Sequence, residues 1–567
     1  MKEMSNEPLP TREREWLLQE TMKRLDEQYD AACKMLGNDR EGHGVRVSAH
    51  YAVGLLARGG SRDRKRAEEI LERLLELQFK GDSEDAFYGG FPRNDREGQP
   101  PSEPFPGKEF TAVHRYYLEK WQETIEEKFR GRLADSGYDN AQVKQICACY
   151  WQAVTETVPV VWRGFDPNWR EFIGTDIAMI LAFYEEDLES GLVWKLEQAL
   201  ERAVTGSLTR YHDHVCPMNT NIEMMHVLIC AYLGERRKDG ALLAHAVKAA
   251  QRLKTAYLEF HSVSEYNSST YYSVDLMALS AWKRILKNEE LRETASFLEA
   301  GIWKDITVMY HPLLKNLCGP FSRSYEMDMS LHSLLPALLY LGLGEEVQEK
   351  PAFNCELAGN IAIALLGTRI PEECREALSE FQGERQVETC FRELMERSHP
   401  QDDTSVCTAS AWIGKNHMLG ALRGSRNTSG QLRSATAYWK APDGSVTNLA
   451  LLRREPGENC EHLRTVFFHN KVVKDHMEIN VSWDVQRDLE LVFAVMGEGL
   501  KPEMFEENLW KLPGMTVCIK AVGDQRKIQE IEGGMEVIYS YPWKKEERES
   551  RAKFRLDFLP EDRGEKP

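Results

Sequence analysis

The stretch SEYNSSTYYSVDLMAL, residues 264–279, sets Glu265, Asn267, Tyr271 and Tyr272 at the mouth of an apolar helical pattern. Three further polar openings hold residue types that would complete a site: Trp169 and Glu171 in NWREFIG, Asn219 and Asn221 in NTN, and Arg323, Tyr325 and Asp328 in RSYEMDMS. Asn supplies amide N–H donors, and Arg offers a two-pronged cationic fork that matches a carboxylate. A phenol serves as general base where a nearby cation lowers its pKa from about 10, and once protonated it can return the proton as an acid. A plainer reading gives the hydroxyls of Ser268, Ser269 and Thr270 to capping the first helical turn.

The spacing of the openings favours a site. Asn168, Asn219, Thr270 and Arg323 each precede an apolar helical run, at intervals of 51, 51 and 53 residues. A period of that size is one helical hairpin per repeat, an apolar inner helix and a more polar returning one. Inner helices in such an array start at one end, so the four openings converge there. Gly234 closes one of these runs as a stop signal.

Helical spacing persists from residue 13 to about 397, and no strand pattern interrupts it. After SHPQDDTSV (398–406) the chain turns to short alternating runs, including SATAYWKAPDGSVTNLALLRR with a PDG turn, HLRTVFFHNKVVKDHMEINVSW, DLELVFAV and GMEVIYSYPW. The expectation is an all-α domain over 1–400 and an antiparallel β-sandwich over 401–567.

Lys+Arg 72 against Asp+Glu 90 leaves a net charge of −18, which disfavours nucleic acid and anionic membrane as partners. There is no run of 18 apolar residues and no N-terminal apolar core, so a cytoplasmic location is expected. The 12 cysteines read as reduced core thiols. His212 and His214 with Cys216 and His226 do not form a recognised zinc spacing, and neither a metal nor another cofactor is expected.

Three stretches resemble, in order, the polysaccharide lyases of the chondroitin AC/hyaluronate lyase and heparinase II/III groups. NWREFIG is similar to their Asn-Trp-Trp…Glu-Ile-Gly signature, NTN stands where they place a carboxylate-binding asparagine, and GPFSRSY resembles their Ser-Arg-Ser element. The resemblance implies an incomplete (α/α) toroid of helical hairpins followed by the β-sandwich. It also implies β-elimination from a uronic-acid-containing oligosaccharide or polysaccharide. One departure is plain: the chondroitin and hyaluronate lyases carry a His shortly before the catalytic Tyr, where this chain has Glu265, Tyr266 and Asn267. A second His comes from the sandwich in the heparinase II/III group, and His469 or His476 could match it.

On that reading Asn221, or Asn219, and Arg323 neutralise the uronate carboxylate and Tyr271 removes the α-proton. Tyr271, Tyr325 or His469 then protonates the leaving oxygen, and Trp169, Glu171, Glu265, Asn267, Tyr272 and Asp328 contact substrate. Two alternatives stand beside it. An inverting glycoside hydrolase would draw a carboxylate pair from Glu171, Glu265, Asp275 and Asp328, and a non-catalytic scaffold would only bind carbohydrate or a protein partner.

Overall fold

The computed structural model describes residues 11–38, 40–85, 87–100, 112–157, 166–213, 218–393, 406–425, 431–457, 466–483, 488–521, 525–544 and 550–561. The chain forms two compact units. One gathers residues 1–26, 219–395 and 403–567, and the other holds 27–218 with 396–402.

The second unit is built from the helices Val45–Arg58, Ser61–Leu77, Ala112–Asp135, Asn140–Thr157, Trp169–Phe183 and Ser190–Asp213. It also carries a small three-stranded antiparallel sheet over Tyr29–Asp30, Met35–Asn38 and Gly42–Gly44. The helical reading of this region missed that sheet, because strands of two to four residues are too short to show a period of two.

In the first unit the helices Thr220–Arg237 and Gly240–Phe260 pack as a hairpin, as do Tyr271–Ile285 and Glu289–Met309. The division into inner and returning helices follows from composition. Tyr271–Ile285 is buried continuously from Tyr272 to Trp282, whereas Gly240–Phe260 buries one stripe of Ala246, Ala249, Ala250, Leu253 and Tyr257. Asp239 caps the second helix by accepting from the N–H groups of Ala241 and Leu242 at 3.0 Å.

Gly234 does not stop its helix, which runs on to Arg237 and ends at Lys238 with φ 56°. A Cβ on Gly234 would lie 3.0 Å from the Leu243 nitrogen, so this glycine serves the close return of the next helix. The openings at Asn168, Asn219 and Thr270 do sit at helix starts, but the one at Arg323 does not. The chain stays irregular until Leu335–Leu343, where Pro336 in the first turn starts the helix.

A two-residue ribbon, Tyr310–His311 with Asn316–Leu317, also interrupts the helices, and the strands of the large sheets begin at Arg385, ahead of the expected change at 400; residues 398–405 lie outside the described residues. An eight-stranded antiparallel sheet runs, in spatial order, through Gln525–Ile531, Gly534–Tyr541, Leu489–Met496, Val446–Arg454, Ala435–Lys440, His417–Arg423, Val406–Ile413 and Arg385–Arg392. The PDG turn joins two of these strands, with Gly444 at φ 95°. A six-stranded sheet packs over it. Phe493 of the first meets Trp510 and Phe554 of the second edge-on, with ring centroids 5.8 and 5.1 Å apart. The architecture is thus helical hairpins followed by an antiparallel β-sandwich.

Candidate active site around Arg323

The hydroxyl-rich run ahead of the Tyr271 helix does two things at once. Ser268 Oγ accepts the Tyr271 N–H at 2.9 Å, which is the cap that composition suggests, and donates to the Arg323 carbonyl at 2.6 Å. Ser269 Oγ pairs with Ser324 Oγ at 2.7 Å, and Ser322 Oγ donates to the Tyr266 carbonyl at 2.7 Å. Asn267 adopts φ 51°, a left-handed conformation that Asn tolerates. Its side-chain amide donates to the carbonyls of Cys318 at 2.6 Å and Pro320 at 2.8 Å. These bonds stitch residues 318–324 to the mouth of the helix.

The other side of the same segment lies on the sandwich. Phe321 and Arg433 exchange both backbone bonds at 3.0 Å, and the Ser324 N–H donates to the Gln431 carbonyl at 2.8 Å. Such an approach requires Gly420, where a Cβ would lie 1.8 Å from the Gly319 carbonyl oxygen.

Arg323 is held between the two and is almost wholly buried. Its Nη1 donates to Glu265 Oε1 at 2.6 Å, its Nε to Gln431 Oε1 at 2.8 Å and its Nη2 to the Tyr271 hydroxyl at 3.2 Å. The guanidinium also lies 4.2 Å from the Tyr271 ring centre. Tyr271, half-buried, passes its own O–H to the Tyr325 hydroxyl at 3.1 Å, and Tyr325 is 43% exposed. A donor chain therefore runs from a buried guanidinium through two phenols to solvent.

Electrostatics modify the expected chemistry. Burial raises the Tyr271 phenol well above its usual 10, against the pull of Arg323. The anticipated cation is present, with Glu265 paired to it at 2.6 Å, but burial outweighs its pull and Tyr271 rests protonated. One helical turn on, Asp275 is fully buried and neither of its oxygens has a hydrogen-bond partner. Burial and then the charge of Glu265 push its carboxyl well above 3.8, so it is neutral in the fold.

The remaining candidates fall elsewhere. Tyr272 is fully buried and accepts the Asn267 N–H at 2.6 Å, and Asn267 is fully buried too; both build the loop rather than face a ligand. Asn221 is buried and accepts the Ile222 N–H at 2.9 Å, and Asn219 is also buried, at the helix start without capping it. Among the described residues no bond joins either to Arg323 or Tyr271. Asp328 is exposed and accepts the Ser330 N–H at 2.7 Å.

His469 is exposed between two short strands, and its main-chain N–H donates to the Asn480 carbonyl at 2.8 Å. His476 sits between Asp557 at 2.8 Å and Glu478 at 3.3 Å. In the second unit Glu171 is fully buried, bonded to Ser207 at 2.7 Å and to Arg170 and Arg210 at 3.3 Å each, which makes it a structural carboxylate. Trp169 is half-buried under the Arg46 guanidinium at 4.7 Å, not an open platform.

Gln431 and Glu223 escaped the sequence reading. Gln431 reaches Arg323 only because the sandwich edge comes beside it, which no local spacing announces. Glu223 lies in a cleft with Arg252 and Ser264, and burial lifts its carboxyl to about 7. Of the histidine and cysteine set weighed for zinc, His214 and Cys216 lie outside the described residues. His226 instead faces His245, Nε2 to Nε2 at 2.8 Å, with Cys230 Sγ 3.8 Å away.

Among solved structures, a heparinase III is similar at 9% identity over 94% of each chain, with a TM-score of 0.35. The chondroitin AC lyase of Streptomyces coelicolor A3 is similar at 11% identity over 98% of this chain and 80% of its own, with a TM-score of 0.42. An endoglucanase of Clostridium thermocellum is similar at 11% identity over 97% and 93%, with a TM-score of 0.29. Likenesses this weak carry no argument about the reaction. No curated protein matches the chain in sequence. One family does match, over residues 15–126 and 151–359, which is more than half of the chain. The chain that builds this arginine-centred site accordingly belongs to the family described as Domain of unknown function (DUF8769).

Proposed function

We propose that the chain is a glycan lyase that cleaves a uronic-acid-containing saccharide by β-elimination at the Arg323 site. The observation that carries this reading is the chain Glu265, Arg323, Tyr271, Tyr325, with contacts of 2.6, 3.2 and 3.1 Å. Elimination removes a proton α to a carboxylate, which is scarcely acidic until that carboxylate is neutralised. Arg323 is the cation in place for the task, oriented by Glu265 and Gln431, and a fixed donor of this kind is worth about 10²–10³ in rate.

Tyr271 is the base. It rests protonated, so its proton must leave first, and the route lies through Tyr325 to solvent. The phenolate then takes the α-proton, the C4–O bond breaks as the C4–C5 double bond forms, and Tyr271 hands the proton to the departing glycosidic oxygen, which leaves as an alcohol. With Asn221 buried, Arg323 carries the carboxylate. The hydrolase alternative needs two carboxyls that reach the scissile bond. Glu265 is committed to Arg323, and Asp275 is fully buried.

The test is near-ultraviolet absorbance from the conjugated double bond, followed while the protein is offered a panel of uronate-containing oligosaccharides. Tyr271→Phe should lower the rate by about 10²–10⁴. Reducing ends appearing without absorbance would overturn the reading in favour of hydrolysis.

A further inference from the structure

The segment that follows the site carries a second constellation, which adjoins the arginine chain at Tyr325. Cys355 Sγ lies 2.9 Å from His332 Nδ1, and His332 Nε2 lies 3.0 Å from Glu356 Oε1. Cys355 is exposed, while His332 and Glu356 are half-buried. The order is thiol, imidazole, carboxylate, the arrangement in which a base takes a nucleophile's proton and a third group orients the base.

Its parts are fixed from both sides. The Asn354 side-chain amide donates to the carbonyls of Ser330 and Ser333 at 3.0 Å, and its Oδ1 accepts the Glu356 N–H at 2.9 Å, so the two loops are clamped together. The Tyr325 ring stacks on His332 with centroids 4.4 Å apart and planes at 27°. The imidazole is therefore locked in rotation, with one nitrogen aimed at sulfur and the other at carboxylate.

A metal ion is a poorer account of the same residues. Sulfur and carboxylate sit against different nitrogens of one ring, and a single ion can use only one of them. The Leu331 carbonyl, 3.3 Å from the sulfur, can accept the thiol proton but cannot remove it at neutral pH. His332 is the base in reach, and Glu356 is placed to steady the imidazolium that results.

We propose that Cys355 is an activated nucleophilic thiol that takes small carbon electrophiles, with His332 as its base and Glu356 as the orienting group. With iodoacetamide the sulfur pair forms the C–S bond as the C–I bond breaks, and iodide leaves with its electrons. The thiol proton passes to His332 Nδ1 and then to solvent. This proposal does not rest on the lyase reading, and its test needs no saccharide.

The test is carbamidomethylation of the whole native chain, with each cysteine followed by mass spectrometry against pH. Cys149 and Cys390, also exposed, are references within the same sample. Cys355 should react at least about tenfold faster than either at pH 7, and its rate should level off at a lower pH than theirs. His332→Gln should bring Cys355 to the reference rate, and Glu356→Gln should leave it between the two. Equal rates and equal pH profiles for the three cysteines in the unmutated protein overturn the proposal, whatever the variants do.

Discussion

At the scale of single residues, the decisive quantity is where the Tyr271 proton sits. Burial raises the phenol above 10, so the fraction ionised at neutral pH is small and grows tenfold per pH unit. If Tyr271 acts as the base, kcat/KM should rise with pH at a slope of about one from neutrality to beyond about pH 9. A bell centred near pH 6–7 would transfer the role to a histidine. Glu265→Gln removes the charge that offsets Arg323, so the rising limb should move to lower pH in that variant. The types at this site were legible in the sequence, since Tyr271, Arg323, Tyr325 and Glu265 do come together. Their protonation was not, because it depends on how deeply the phenol is buried and on a carboxylate that reaches Arg323 from 58 residues away.

Between residue and molecule stand the elements, and here the Arg323 segment matters most. It belongs to no helix or strand and is suspended between serines on one side and a sheet edge on the other. Gly420 permits that contact, because a Cβ there would meet the Gly319 carbonyl oxygen at 1.8 Å. Gly420→Ala should therefore destabilise the protein by about 1–3 kcal/mol and reduce turnover as Arg323 shifts. Gly191→Ala, with open space around it, is the control, and urea midpoints compare them. An unchanged midpoint and rate for Gly420→Ala would show that the segment can yield.

Helix-forming stretches such as Tyr271–Ile285 were readable because a long apolar period survives without context. The opening at Arg323 resembled the others in composition but not in structure. Its hydroxyls and amides bond across to residues 265–269, and those long-range partners displace the local helix until Pro336.

Across the whole molecule, the order of helical hairpins and then antiparallel strands was written in the change of period from 3.6 to 2. The partition into compact units was not, because the first unit collects segments from both ends of the chain and from its middle. Net charge and hydropathy report none of that connectivity.

Asp275, buried without a partner, has a consequence for the molecule as a thermodynamic system. In the folded state its carboxyl keeps its proton well above 3.8, whereas in the unfolded chain it ionises near that value. The native state therefore binds one more proton than the unfolded state across that window, and this residue's contribution to stability falls as pH rises through it. Asp275→Asn abolishes the difference, so the variant should gain stability relative to the parent between pH 4 and neutrality, with the gap closing towards pH 4 in denaturation curves. A constant gap would mean that Asp275 does not titrate with folding. Folding at neutral pH thus takes up a proton, and a carboxyl sealed from solvent holds it for as long as the fold persists.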